Sequence, residues 1–289
     1  DGRSAAPMRR RAPVALIGLL LFAASVRAET ATYLGRLAIA LDDPRAGGFS
    51  GLELDATGTR LWAVSDRGVM LEARLDRAGG GPLRLVAPRI RALRHRDPDR
   101  PQASDAEGLA LGSRLWISYE GRRRPVAVAP GAPRLPGHPD FRRFAGNAAF
   151  EAIAVDERDR LVMLPETTLG RGFPLYRFEE GSWRQIGSLP RRGDFRPVGA
   201  DFGPDGALYV LERAFLGIGF RSRVRRLRLT DGGIAGEETV LLSSVGAHGN
   251  LEGLAVWRDG AGRIRLTMIA DDNFRAFQRN EIVEYALSP

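Results

Sequence analysis

Along residues 49–66 apolar and polar side chains alternate, pause at a turn rich in Gly and Asp, and alternate again: "FSGLELDATGTRLWAVSD". Period-two alternation broken by such a turn predicts a β-hairpin with one buried face. The pattern returns as "DAEGLALGSRLWISYEG" (105–121), "FEAIAVDERDRLVMLPE" (150–166), "VGADFGPDGALYVLER" (198–213) and "LEGLAVWRDGAGRIRLTMIADDN" (251–273). One or two further strand-like runs follow most hairpins, such as "MLEARL" and "LRLVAP" after the first and "RVRRLRL" and "ETVLLSS" after the fourth. Few segments carry a 3.6-residue period, so the chain reads as all-β. Repeats of roughly fifty residues with up to four strands each predict a β-propeller. Five blades are legible, and the spacing leaves room for a degenerate sixth. The fifth repeat lacks an outer strand, which "TYLGRLAIAL" supplies: Tyr33–Leu41 is expected to pair with Glu281–Leu287, closing the ring and covering its edge.

Acids recur at fixed places in these hairpins. The second strand ends on Asp66, Glu120, Glu166, Glu212 and Asp271, five residues beyond Leu61, Leu115, Leu161 and Leu266 but four beyond Leu208. The first strand opens with Glu107, Glu151 and Glu252 in three repeats; the others carry Ser50 and Val198 there and place Glu53 and Asp201 three residues later. In an antiparallel hairpin the start of one strand lies beside the end of the next. These acids are therefore expected to ring one mouth of the central channel. Like charges so crowded need neutralising. A hard divalent cation such as Ca²⁺ suits several carboxylates together, and the arginines just beyond the acids (Arg67, Arg122, Arg171, Arg213, Arg275) offer a second means. In a blander reading each acid only braces the loops of its own blade.

Charge and composition narrow the functional classes. The chain has 289 residues, a net charge of +8 and a pI near 10.8, and all 43 basic residues are arginine. Much of the excess lies in "MRRRAPVALIGLLLFAASVRA" (Met8–Ala28), whose basic start, short apolar run and small-residue end read as a secretory signal peptide. Residues 1–28 hold five arginines and one aspartate, which leaves about +4 on residues 29–289, read as one domain. Nucleic-acid binding is not expected at that charge. Without cysteine there is neither a disulfide nor a lipid-anchoring thiol, so a free periplasmic or secreted monomer is the expectation. No G-x-S-x-G elbow, H-E-x-x-H motif or phosphate loop is present; Gly217-Ile218-Gly219 reads as a blade turn. His95 and His138 read as loop residues, and His248, four before Glu252, is expected near the acidic mouth.

Taken in order, "SGL…AVSDRG", "DAEGLA…YEG", "FEAIA…LPE", "ADF…DGALYVLERAF" and "NLEGLA…ADDNF" resemble the phytase-like β-propeller family described as having esterase-like activity of phytase. The resemblance spans about Tyr33 to Leu287 and implies an exported hydrolase of phosphoester or ester bonds. Its acidic positions fall on Asp66, Glu107, Glu120, Glu151, Glu166, Asp201, Glu212, Glu252 and Asp271; Ser50, Val198 and a short, Pro-rich second blade depart from the pattern. The residues then take these roles. Asp66, Glu120, Glu151, Glu166, Asp201, Glu212 and Asp271 are candidate ligands of Ca²⁺ or another hard divalent cation. Glu107 and Glu252 are candidate general bases, while Arg67, Arg213, Arg275 and His248 would hold a small anionic substrate. A non-catalytic ligand- or protein-binding propeller and a metal-dependent lactonase are the alternatives.

Overall fold

The computed structural model describes residue 2 and residues 31–77, 83–93, 105–120, 126–128, 135–144, 150–273 and 278–288. The leader-like segment, His95, Arg122 and Arg275 lie outside these. Among the described residues no helix is long and apolar enough to cross a membrane.

Each repeat folds into its own antiparallel sheet. The first holds β2 (Phe49–Leu54), β3 (Arg60–Ser65), β4 (Val69–Asp76) and β5 (Arg84–Ala92); the second holds β6 (Ala106–Leu111), β7 (Leu115–Tyr119) and β8 (Val126–Ala127). The third comprises β9 (Ala152–Val155), β10 (Leu161–Leu164), β11 (Gly172–Glu179) and β12 (Ser182–Pro190). The fourth comprises β13 (Arg196–Phe202), β14 (Leu208–Phe215), β15 (Phe220–Thr230) and β16 (Gly233–Leu242). In the last, β17 (Asn250–Arg258), β18 (Ile264–Asp271) and β19 (Glu281–Leu287) are joined by β1 (Ala31–Ala38), which pairs with β19 from Ala31↔Leu287 to Ala38↔Glu281. The arrangement is propeller-like and almost free of helix.

Burial follows position in the sheet. Every residue of β2 and β9 is buried, whereas β5 and β1 are mostly exposed or half-buried. First strands touch in a cycle: β2 lies against β6, β6 against β9, β9 against β13, β13 against β17, and β17 against β2. Apolar side chains fill the spaces between consecutive sheets, with Phe49, Leu52, Trp257 and Ile269 in one and Val198, Tyr209, Leu251 and Met268 in the next. Burial of such surface, at about 25 cal/mol per Å² of apolar area, is the main force holding sheet to sheet.

The short second sheet is backed differently. A 3₁₀ helix, Pro139–Arg143, carries Phe141 into a cluster with Phe144, Phe150, Tyr176 and Trp183. His138 is half-buried at its start, where Nδ1 accepts a hydrogen bond from Asp140 N (3.2 Å). It is a cap rather than the free loop residue that the Pro-rich sequence suggests.

Candidate functional site

The opening of the first strand has an unusual backbone in four of the five sheets. The pairing register between first and second strands skips Ser50, Glu107, Val198 and Glu252 in the first, second, fourth and last sheets. Such a bulge releases one residue from the ladder and re-aims its side chain. A glycine follows each: Gly51, Gly108, Gly199 and Gly253. A Cβ on Gly51 would come within 2.8 Å of Leu109 N, and one on Gly253 within 2.7 Å of Leu52 N. On Gly108 and Gly199 it would press still closer on the Glu151 and Glu252 carbonyls. The bulged residue thus sits where the next sheet approaches most closely.

Ends of second strands meet these bulges. Glu120 N donates to Asp105 O (2.8 Å), Asp66 N to Gly48 O (3.0 Å), and Asp271 is paired with Asn250. One cluster results, containing Asp66, Asp105, Glu107, Glu120, Glu151, Glu166, Arg213, Asn250, Glu252 and Asp271. Asp105, Glu107 and Glu120 each bring a carboxylate oxygen within 4.8 Å of the others, a grouping able to hold a metal ion. Glu252 accepts hydrogen bonds from Arg213 and from Asn250 Nδ2 (2.8 Å). Arg213 also reaches Glu166 Oε1 (3.4 Å) and Asn250 Oδ1 (2.5 Å). Asn273 N donates to Asp271 Oδ1 (2.6 Å).

Crowding and burial push these carboxyls up. Burial first, then the Glu252, Asp105 and Glu120 charges, raise Glu107 to about 9. Asp105 rises to about 7 through burial and the hydrogen bond and charge of Glu120, and Asp271 to about 7 through burial and Glu252. Glu151 lies well above the carboxylate range because it is buried among Glu166, Glu107 and Glu252. Burial also raises Glu252, although Arg213, Asn250 and Ser50 pull it back, and raises Asp66 against the opposing Ser65 and Arg67. Burial would lower the Arg213 guanidinium, but Glu252, Glu151 and Glu166 hold it above its ordinary value. Arg213 is an internal counter-ion, and the exposed Arg67 lies at the edge beside Asp66.

Three sequence candidates stand elsewhere. Glu212 is fully buried and faces away from the channel, bound to Arg223 Nε (2.6 Å) and to Arg225 Nε (2.9 Å) and Nη2 (2.5 Å). It lies four residues beyond Leu208, and alternation turns that position to the other face; position five is Arg213. Asp201 lies at the far end of β13, where Oδ2 accepts from Val256 N (2.6 Å). Its neighbour is Glu53, which accepts from Leu111 N (3.1 Å). Burial raises Asp201 to about 7 and, together with the Asp201 charge, holds Glu53 well above its usual range. His248 does not reach the acids: Nε2 meets Tyr285 Oη at 2.6 Å, its ring lies 6.0 Å from that of Tyr33, and burial lowers its pKa.

A family model described as "Phytase-like: Esterase-like activity of phytase" matches residues 44–274. The chain belongs to this family. Among solved structures, the phytase-like chain is similar to XC5397 of Xanthomonas campestris, described as a gluconolactonase, at 15% identity and TM-score 0.49, covering 91% of this chain and 96% of that one. It is also similar to U3-55K, at 10% identity and TM-score 0.43, over 88% and 98% of the two chains. The extracellular domain of the putative one component system BT4673 of B. thetaiotaomicron aligns at 13% identity and TM-score 0.39, over 83% of this chain and 34% of that one. No curated protein sequence matches.

Two members of the phytase-like cluster escape a search for repeated acids. Asp105 and Asn250 each stand two residues before a bulged glutamate, at equivalent repeat positions. A polar residue preceding x-Glu-Gly is the signal that would have found them.

Proposed function

We propose that this protein is an exported, metal-dependent hydrolase of phosphoester or ester bonds, acting at the acidic mouth of a five-bladed propeller that β1 closes. The convergence of Asp105, Glu107 and Glu120 carries the proposal. Three carboxyls so close, with the pKa of Asp105 and Glu107 pushed up to about 7 and 9, suit a hard cation that would replace the protons of those two. These three would hold Ca²⁺ or a similar ion; when bound, it would lower the pKa of water and offset charge developing on the substrate. The roles read from sequence shift accordingly. Glu107 moves from general base to ligand, and Glu252 is tied to Arg213 and Asn250. Asp271, near neutrality and oriented by Asn273 N, suits the proton acceptor. Arg213, between Glu252 and Glu166, keeps the far side of the mouth from repelling an anionic substrate. The cyclic contacts of the first strands and the pairing of β1 with β19 support ring closure, and the Met8–Ala28 pattern supports export.

A thermal melt in EDTA and with added Ca²⁺, Mg²⁺ or Mn²⁺ tests the metal. An ion at one hundred times its dissociation constant adds about 2.7 kcal/mol of stability. Hydrolysis of phosphomonoesters, phosphodiesters, carboxylic esters and lactones is then measured with the stabilising ion. Absence of any shift would overturn the metal site. A shift without turnover would make the protein a metal-bearing binding propeller.

A further inference from the structure

Among the described residues, the rim of the mouth changes character where β14 turns into β15. β14 runs on past Arg213 to Phe215, turns through residues 216–219, and returns as β15 from Phe220. The two strands keep unbroken register from Leu208↔Leu227 to Phe215↔Phe220, so Arg213, Phe215 and Phe220 share one face. The Phe215 and Phe220 rings lie 5.1 Å apart, and the Arg213 guanidinium carbon is 5.8 Å from the Phe220 ring centre. Corresponding turns in other sheets are mostly polar, as in Asp66-Arg67-Gly68. Here the turn reads Phe-Leu-Gly-Ile-Gly-Phe, and Ile218 is 93% exposed, Phe215 60% and Leu216 44%. The Val245 side chain closes in beside Gly219. Scattered apolar residues need no explanation, but a contiguous patch joined to a charged site does.

We infer that this hairpin is the wall of a substrate subsite, and that the substrate held at the acidic mouth carries an apolar alkyl or aryl chain laid along Phe215, Leu216 and Ile218. The inference rests on the hydrolytic reading of the mouth and adds the class of substrate. Continuity identifies the occupant: the patch begins two residues beyond Arg213 on the same strand face, within reach of a molecule whose polar group sits among the acids. A substrate charged on every side, such as an inositol polyphosphate, would leave this surface uncovered; an amphiphilic monoester covers it.

Calorimetry on the full chain with Ca²⁺ present compares ethyl phosphate with octyl phosphate, which differ only in apolar length. Octyl phosphate is expected to bind more than about tenfold tighter, since each buried methylene adds affinity. Ile218→Ser and Phe215→Ser should each shrink that ratio to a few-fold at most, while Leu34→Ser, an exposed apolar change on β1, should leave it intact. Equal affinities in the parent, or a ratio that survives both hairpin variants, would overturn the inference. Turnover assays on the same pair separate the two readings. Hydrolysis of both at one efficiency keeps the hydrolase and removes the subsite; a chain-length ratio without hydrolysis keeps the ligand class and removes the hydrolase. Co-sedimentation with phosphatidylcholine vesicles that Ile218→Ser abolishes, with no chain-length ratio, would mark a bilayer contact and also overturn it.

Discussion

Glu212 and Arg213 are neighbours on β14 and face opposite ways. Glu212 is enclosed by Arg223 and Arg225, while Arg213 enters the mouth and meets Glu252. Removing one partner of a buried ionic cluster leaves unpaired charge behind, so Glu212→Gln is expected to cost about 3–5 kcal/mol. Denaturant melts should give the same loss in EDTA and in Ca²⁺; a loss that depends on the ion would return Glu212 to the metal site. Glu107→Gln should act with the opposite sign. The Glu107 carboxyl holds its proton to about pH 9, so at pH 7 an amide replaces an already neutral group and the cation-free melt barely rises. Near pH 9 the variant should outlast the parent, because it no longer ionises among Glu252, Asp105 and Glu120. At either pH it should lose the Ca²⁺ response. A clear destabilisation of the cation-free protein at pH 7 would favour the reading in which the acid braces its own blade. These neighbours also mark how far the site was legible from residues alone. Asp66, Glu120, Glu166 and Asp271 share a spacing of five and do share the mouth. The spacing of four before Glu212 already carried the warning, since one residue inverts a strand's faces. Asp201 and His248 were not legible in this way. Their surroundings are set by Glu53 on β2 and by Tyr33 and Tyr285 on outer strands, distant in sequence.

At the scale of the strand, the repeated bulge does most to build the site. It aims Ser50, Glu107, Val198 and Glu252 out of the ladder, and the glycine after each lets the next first strand come close. Gly199→Ala would drive a methyl group against the Glu252 carbonyl, and backbone cannot yield as a flexible side chain can. Overpacking of this kind typically costs about 1–3 kcal/mol, and here it should also displace Glu252 from Arg213. The checks are the melting temperature and the tenfold or greater loss of divalent-ion affinity expected if the mouth is one site, since ligands that lose the groups orienting them bind metal more weakly. A variant that melts and binds like the parent would show that the close approach is incidental. The third sheet carries Ala152 where the others carry glycine, still fully buried, so the tight approach is not uniform around the channel. Hairpins were legible because alternation and turn residues are local: "MLEARL" and "RVRRLRL" fall within observed strands, and "LRLVAP" and "ETVLLSS" overlap two more, the first starting one residue early and the second running two residues past its strand. The 3₁₀ helix beneath the second sheet was not, because its reason for forming is an aromatic cluster drawn from residues 141 to 183.

For the molecule as a whole, β1 and the balance of protons make separate predictions. Deleting residues 31–38 would uncover the β19 edge, remove the Tyr33 ring from beside Tyr285 and His248, and free Glu281 from Arg36. An open sheet edge is expected to give aggregation or loss of a single cooperative transition. A truncated chain that melts like the parent would place closure elsewhere. Stability against pH tests the acidic channel in the intact chain. Asp105, Asp201 and Asp271 titrate at about 7 and Glu107 at about 9, all above their unfolded values. In that interval the folded protein binds more protons than the unfolded chain, so raising the pH favours unfolding. This contribution is fully present below about pH 4, where unfolded carboxyls are also protonated, and is lost as pH climbs through 7 to 9. Asp43, held at about 2 by Arg45, and the Asp55, Asp259 and Glu179 carboxyls, also lowered, act in the opposite sense and lose their contribution in acid. In EDTA the melting temperature should therefore peak in mildly acid solution and fall steadily to pH 9. Ca²⁺ should remove the part of that fall that belongs to Asp105 and Glu107, because it binds these two in the form that high pH creates. The part belonging to Glu53 and Asp201, at the other end of the channel, should persist with the ion present. Scanning the melt from pH 5 to 9 with and without Ca²⁺ reads both. A profile in EDTA that is flat or rising over that range would mean that the carboxyls are not crowded in solution as they are in the structure.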